Sequence, residues 1–231
     1  MPERPYTLLS CAMSLDGYLD RAGAERLVLS GEADLDRVDE VRAGCDAILV
    51  GATTVRRDNP RLLVHCPERR EERVARGLKP SPVKVTVTCG AELDPSARFF
   101  TTGESEKLVY CPDDRVGAAG TRLGAVATIV GGGPRVSMRR LSEDLHDRGV
   151  GRLMVEGGGT VLTQFLADDL ADELHLVVAP FFVGDSRARR FVDDGAFPFG
   201  PGHPAELADV RRVDDVVLLR YALSARFRDS A

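Results

Sequence analysis

The chain has 231 residues, of which 43% are hydrophobic and 29% charged, and a formal net charge of −5. That length and balance suit one α/β domain able to bury a full core without staples. The acidic balance excludes a general nucleic-acid binder, which needs clustered Lys and Arg to meet phosphates. The one basic run, Arg69, Arg70, Arg73, Arg76 and Lys79, is interrupted by Glu68, Glu71 and Glu72 and reads as a solvated helix face. Cys11, Cys45, Cys66, Cys89 and Cys111 are odd in number and widely spaced, with no C-x-x-C, as expected of a reduced cytoplasmic protein. No apolar run reaches the ~20 residues that span a bilayer. The first apolar stretch soon meets Asp16 and Asp20, so it is not read as a signal peptide.

Tyr6 to Met13 is compact and apolar, a buried first strand. Leu35, Val38 and Val41 recur at helical spacing and predict an amphipathic helix over 34–43, with Ser30 near its entry. Ala47 to Val50 is a short buried strand ending at Gly51. Cys66 to Pro82 reads as a surface loop holding a charged helix. Val83 to Thr88, Lys107 to Cys111 and Val126 to Val130 are further strands, and 137–148 has a weak helical pattern. Arg152 to Val155 is a strand leading into Glu156-Gly157-Gly158-Gly159. Val161, Leu162, Phe165 and Leu166 mark one face of the helix that follows. Leu174 to Val178 is a strand closed by Ala179-Pro180. Asp185 to Pro204 is rich in Gly and Pro. Only a hairpin, Ala205 to Val213 and Val216 to Leu223 turning at Asp214-Asp215, comes after it, so a single domain over 1–231 (core about 4–223) is preferred to a linker. The alternation of strands and helices predicts a largely parallel sheet.

Three segments carry chemistry. In RLMVEGGGTVLTQFL, residues 152–166, glycines let backbone N–H groups approach an anion, and the helix start adds free donors and a positive dipole end. That suits a pyrophosphate, with Thr160 as a further hydroxyl donor. A plain tight turn is the competing explanation, since G-x-G-x-x-G is absent. In DAILVGATTVRRDNPRLLV, residues 46–64, a buried strand ends at Gly51 and small hydroxylated residues follow, at the end where open α/β sheets bind ligands. Asp58-Asn59-Pro60 is a turn. The third, CAMSLDGYLD, residues 11–20, ends a strand in an Asp16-Gly17 turn. His65 and Cys66 are adjacent while His146, His175 and His203 stand apart, so no zinc site is expected. His175 alternates with leucines on a strand and reads as structural.

In this order the segments resemble the reductase domain of the bacterial riboflavin-synthesis deaminase–reductase family. The resemblance is carried by Ala12-Met13-Ser14-Leu15-Asp16-Gly17; by Ala47-Ile48-Leu49-Val50-Gly51, Thr54-Val55, Asp58, Pro60 and Leu62; and by Glu156-Gly157-Gly158, Asp172-Glu173-Leu174 and Ala179-Pro180. It implies a dihydrofolate-reductase-like three-layer α/β fold. In that fold a central, mostly parallel mixed sheet has helices on both faces and ends in a C-terminal antiparallel hairpin. It implies NADPH as hydride donor, usually a homodimer, and a phosphorylated aminopyrimidine as substrate. The reaction is that of a 5-amino-6-(5-phosphoribosylamino)uracil reductase, turning the ribosylamino side chain into ribitylamino. By position, Ala12, Gly51, Thr54, Asp58, Cys89 and the run Gly158, Gly159, Thr160, Val161, Leu162, Thr163 and Gln164 are implied to line the NADPH site. Arg42, Leu62, His65 and Glu156 are implied to face the substrate, with Arg42 suited to its phosphate. Asp58, or a water it orients, is the candidate proton donor, and Arg56 and Arg57 are either contacts for a cofactor 2′-phosphate or, equally, surface charges.

Two positions depart from the family. Ser10 stands where a lysine is common and His65 where an arginine is common, which removes two cations from the substrate side. Either Arg61 or His65 takes over the phosphate, or the substrate differs. The alternatives are reduction of dihydrofolate or another pteridine or pyrimidine, and, in a different class, NADPH binding without turnover. The zinc deaminase motifs of the longer family members are absent.

Overall fold

A computed structural model describes residues 3–23 and 27–227. In chain order the elements are β1 (Tyr6–Ser14), α1 (Glu32–Ala43), β2 (Ala47–Gly51), α2 (Ala52–Asp58), α3 (Pro67–Ala75), β3 (Val83–Val87), α4 (Arg98–Thr101), β4 (Lys107–Cys111), α5 (Val116–Leu123), β5 (Thr128–Gly131), α6 (Met138–Asp147), β6 (Arg152–Val155), α7 (Gly159–Ala167), β7 (Glu173–Ala179), β8 (Glu206–Val213) and β9 (Val216–Ala222). The strands are mostly parallel and the chain closes in an antiparallel hairpin, β8–β9, as the sequence pattern predicts. The chain divides into two compact units, Met1–Pro5 with Val38–Met154, and Tyr6–Arg37 with Val155–Ala231.

In the first unit β2, β3, β4 and β5 pair in parallel, in the order β5-β4-β3-β2. Every residue of β2 is buried, which is why AILVG is a continuous apolar run rather than an alternating one. Two cations are buried inside this unit. Lys84 of β3 has no exposed surface; its Nζ donates to the carbonyls of Phe99 (3.1 Å) and Thr102 (2.5 Å) at the end of α4. Burial, then the nearby Lys107 charge, lowers its pKa to about 8. Arg73 of α3 donates to Ala43, Cys45 and Lys79 carbonyls and is 3% exposed. The expectation of a fully solvated basic face on α3 is corrected here. The carbonyls left open at the end of α1 need donors, and Arg73 reaches in to supply them.

In the second unit β1 pairs in parallel with β7, and β9 joins β7 to β8 by antiparallel ladders. Ser10, His175 and Arg220 are register partners across β1, β7 and β9, so their side chains fall in one row. Beside them Glu173 accepts from Tyr6 Oη (2.9 Å), Arg220 Nη2 (2.8 Å) and His175 Nε2 (2.7 Å). Burial alone would raise the Glu173 pKa, but the His175 contact, then Arg220 and Tyr6, bring it down to about 2. Asp172 has no exposed surface and ties β1 to the C-terminal end, accepting from Thr7 N (2.9 Å) and Ser224 Oγ (2.6 Å). His175 is 6% exposed, with its two ring nitrogens beside Arg37 and Glu173.

Helices α2, α4 and α5 go beyond the sequence reading. α5 contains Gly117 and Gly120, which weaken any helical expectation. α1 forms where predicted but not with the predicted face: Leu35 is 56% exposed, while Asp34 and Asp39 are buried. Buried polar partners, not an apolar stripe, decide how α1 is turned.

Candidate functional site

The glycine turn, in the second unit, follows directly on β6 in the chain. Gly157 has φ +97°, a conformation that L side chains strain to adopt, and Gly158 caps α7 with no side chain to accept from the helix's first amides. Gly159 is required for a different reason: a Cβ there would lie 2.5 Å from the Arg190 carbonyl oxygen. Segment 189–193 therefore passes directly against the start of α7. Asp193 N donates to Thr163 Oγ1 (2.8 Å), and Thr160 Oγ1 donates to Asp193 Oδ2 (3.1 Å).

Of the implied cofactor run, Thr160 and Gln164 are exposed, whereas Val161, Leu162 and Thr163 are buried. Any approach by a ligand to Gly158–Gln164 thus uses backbone at the helix start together with these two exposed side chains. Glu156 is half-buried just before the turn, and Ala12 is half-buried on β1, packed against the cluster of Val177, Ala179, Val216 and Leu218.

The Ser14-Leu15-Asp16-Gly17 segment is a self-contained turn. Ser14 Oγ donates to Asp16 Oδ1 (2.6 Å) and accepts from Tyr18 N (3.1 Å). Asp16 also accepts from Val183 N (3.0 Å) and Gly184 N (2.7 Å). Desolvation raises its pKa, but these hydrogen bonds outweigh that and hold it at about 2. Asp16 anchors the segment after β7 and has its oxygens committed to that task.

In the first unit the site residues fall into two groups. Gly51, Thr54 and Cys89 lie at or just past the carboxyl ends of the paired strands β2 and β3, with Gly51 opposite Val87 in the register. Thr54 is half-buried on α2 and Cys89 is exposed. Asp58, half-buried, ends α2, and Asn59 follows in the left-handed conformation (φ 44°) with its side chain accepting from Arg98 N. Arg56 and Arg57 are exposed; Arg56 donates to Thr53 Oγ1 (3.3 Å).

The second group lies on the irregular segment 59–66 and the end of α1. Leu62 is buried with φ 47°, and His65 is exposed. Arg42 Nη1 donates to the Leu63 carbonyl (3.3 Å). Val64 N donates to Ser81 Oγ (3.0 Å). Asp39 Oδ1 accepts from His65 N (2.5 Å), and its Oδ2 accepts from Cys66 N (3.1 Å) and Arg69 Nη1 (3.1 Å). Desolvation lowers the His65 pKa; Asp39 opposes this, and Arg42, Arg61 and Arg70 add to it. The side chain of His65 thus sits in a cationic surround, a setting that attracts an anion.

Sequence reasoning passed over Asp39, Ser81, Asp16 and Asp193 as functional candidates. Asp16 was read as a turn residue of the first motif, and Asp39 left the trace of an acid on the same helix as Arg42, one turn before it. Among the described residues no three His, Cys, Asp or Glu side chains group as a metal site, and no helix is long and apolar enough to cross a membrane.

The RibD C-terminal domain model matches residues 5–219. The 2,5-diamino-6-ribosylamino-4(3H)-pyrimidinone 5′-phosphate reductase of Archaeoglobus fulgidus is 37% identical over 84% of this chain and 89% of its own length. Its counterpart from Methanothermobacter thermautotrophicus is 39% identical over 82% of this chain and 84% of its own. Among solved structures, a pyrimidine reductase-like protein from Corynebacterium diphtheriae superposes with a TM-score of 0.81 at 21% identity, covering 94% of this chain and 91% of that one. Dihydrofolate reductase from Enterococcus faecalis, in complex with NADP(H), gives 0.50 at 13% identity, covering 94% of this chain and 95% of that one. These two likenesses bear on the fold, which is dihydrofolate-reductase-like as the sequence implies.

Proposed function

Because the chain belongs to the RibD C-terminal domain family of reductases, we propose that it reduces a 6-ribosylaminopyrimidine 5′-phosphate to its ribitylamino form, with NADPH as donor. The observation that carries the substrate assignment is the identity, across most of both chains, to two reductases named for 2,5-diamino-6-ribosylamino-4(3H)-pyrimidinone 5′-phosphate. That compound, rather than the uracil, is the first to assay.

The glycine turn fits a dinucleotide phosphate. Gly158, the half-buried glycine of the three, carries no side chain, and the amides at the start of α7 lack a side-chain cap. Gln164, exposed on α7, is assigned to the rest of the cofactor, which would supply the hydride when bound. Reduction at the sugar carbon leaves a nitrogen that takes up a proton; Asp58 is assigned to deliver it, directly or through a water. Glu156 accepts from the pyrimidine amino groups.

Arg42, Arg61 and His65 take the substrate phosphate. The Arg42 and Arg61 charges near His65 support this assignment, and they stand in for the cations absent at positions 10 and 65. Ser10 itself is buried beside the Glu173–His175–Arg220 contacts. We also assign a homodimer. On the β8–β9 hairpin Leu207, Val210 and Val217 share one face of the ladder and are 40–53% exposed, an apolar edge suited to a second copy.

The deciding assay follows loss of NADPH absorbance with the diaminopyrimidinone phosphate, the aminouracil phosphate and dihydrofolate as separate substrates. Turnover of the first is expected. Turnover of dihydrofolate alone, or NADPH binding with no turnover of any, refutes the assignment. Light scattering of the purified chain tests the dimer.

A further inference from the structure

Segment 59–66 belongs to no helix or strand, yet its backbone is not left to solvent. The Leu63 carbonyl and the amides of Val64, His65 and Cys66 are each held by a side chain: Arg42, Ser81 and, for the last two, Asp39. Buried backbone groups must find partners, and where side chains supply them, those side chains fix the path of the chain.

Asp39 is the most committed of the three. It is 4% exposed, and its two oxygens meet three donors, the third being the Arg69 guanidinium. An acid beside a phosphate site would ordinarily repel its ligand. Here the carboxylate's hydrogen-bonding capacity is turned toward two amides and an arginine, and its charge is offset locally.

We propose that Asp39 is a positioning residue for the substrate phosphate: it pins the amides of His65 and Cys66 and so fixes where the His65 side chain stands among Arg42, Arg61 and Arg70. This rests on the phosphate assignment above. The charged groups facing His65 are Asp39 and Arg42 from α1, Arg61 from its own segment and Arg70 from α3. Asp39 is the one acid among them, and its charge favours the protonated imidazole.

The test uses the full chain carrying Asp39→Asn, which keeps the side-chain shape but turns an amide N–H toward one of the donors. KM for the phosphorylated pyrimidine is expected to rise about tenfold. The kcat should stay within about twofold, and KM for the dephosphorylated compound should not change. The His65 pKa followed by NMR should fall. Equal KM increases for both compounds overturn the proposal, because a merely structural acid would give that result; an unmoved His65 titration overturns it too, because Asp39 would then not be beside that imidazole. Should Asp39→Asn fail to fold, Asp39→Ser is read in the same way, and misfolding of both overturns it. His65→Ala separates the two levels. If that variant does not discriminate between the compounds, the phosphate assignment itself fails; if it does and Asp39→Asn does not, only the role of Asp39 fails.

Discussion

Glu173 and Asp39 are both carboxylates buried to within a few per cent, and they do opposite jobs. Glu173 sits in the second unit among Tyr6, His175 and Arg220, all on regular strands, and its partners are side chains. Asp39 sits in the first unit on a helix, and two of its three partners are backbone amides of an irregular segment. A buried acid paired with side chains secures elements that already have their own ladders. A buried acid that caps amides helps order a segment that has no ladder of its own. The first should matter to stability and the second to function.

Glu173→Gln is the strongest way to break this contrast. It leaves the Arg220 guanidinium in a 10%-exposed setting without its counter-charge, a loss of about 3–5 kcal/mol. Chemical denaturation measures it, while kcat/KM of the folded fraction should stay close to that of the parent. A large loss of kcat/KM in folded protein would erase the division of labour. The same group predicts a pH signature. Its folded pKa, about 2, lies below its ordinary value of 4.5, so its contribution is complete above 4.5 and is lost as pH falls toward 2. Between those values the gap in stability between parent and variant should narrow.

Gly159→Ala sharpens the contrast from the other side, because the glycine turn is ordered by missing side chains rather than by added ones. Its Cβ would meet a backbone oxygen at 2.5 Å, so segment 189–193 must shift. Overpacking of this kind costs about 1–3 kcal/mol. With the start of α7 displaced, NADPH affinity, read by fluorescence titration, should drop about tenfold or more, a drop worth at least ~1.4 kcal/mol. Unchanged affinity would remove the turn from the cofactor site.

Arg42→Ala comes next. It should raise KM for the phosphorylated pyrimidine by an amount matching ~1.5–3 kcal/mol, with little change for the dephosphorylated compound. Equal effects on both would make Arg42 only a clamp on Leu63.

The contrast also explains what could be foreseen. Strands β2, β4 and β6 and the turn at Gly157 were legible because apolar runs and glycines report their own environment. Helix α1 was legible as a helix but not in its facing: Leu35 points outward, because Asp34 and Asp39 have partners that periodicity cannot see. Helix α2 was hidden by its brevity and by Asn59-Pro60, which signal a turn more strongly than ATTVRRD signals a helix. Asp16 looked like turn chemistry, and it is. Its second task, holding Val183 and Gly184, depends on residues far along the chain. Asp39 was passed over for the same reason, since a charged residue on a polar helix reads as solvent-facing until its partners are known.

Thr160 tests the smallest effect, and one where sequence and structure point apart. From sequence its hydroxyl is a donor waiting for a phosphate. In the structure that hydroxyl donates to Asp193 Oδ2 at 3.1 Å, and the side chain is exposed. A hydrogen bond of this kind contributes only about 0.5–1.5 kcal/mol, and less where water competes for both partners. Thr160→Val should therefore leave NADPH affinity within about threefold, or ~0.7 kcal/mol. Asp193→Asn, which weakens the acceptor and removes a negative charge beside the helix start, should tighten cofactor binding slightly, because that charge opposes a phosphate there. If Thr160→Val instead costs tenfold, the hydroxyl must leave Asp193 for the cofactor on binding, and segment 189–193 would then be a participant in cofactor binding rather than the fixed wall against which Gly159 is packed.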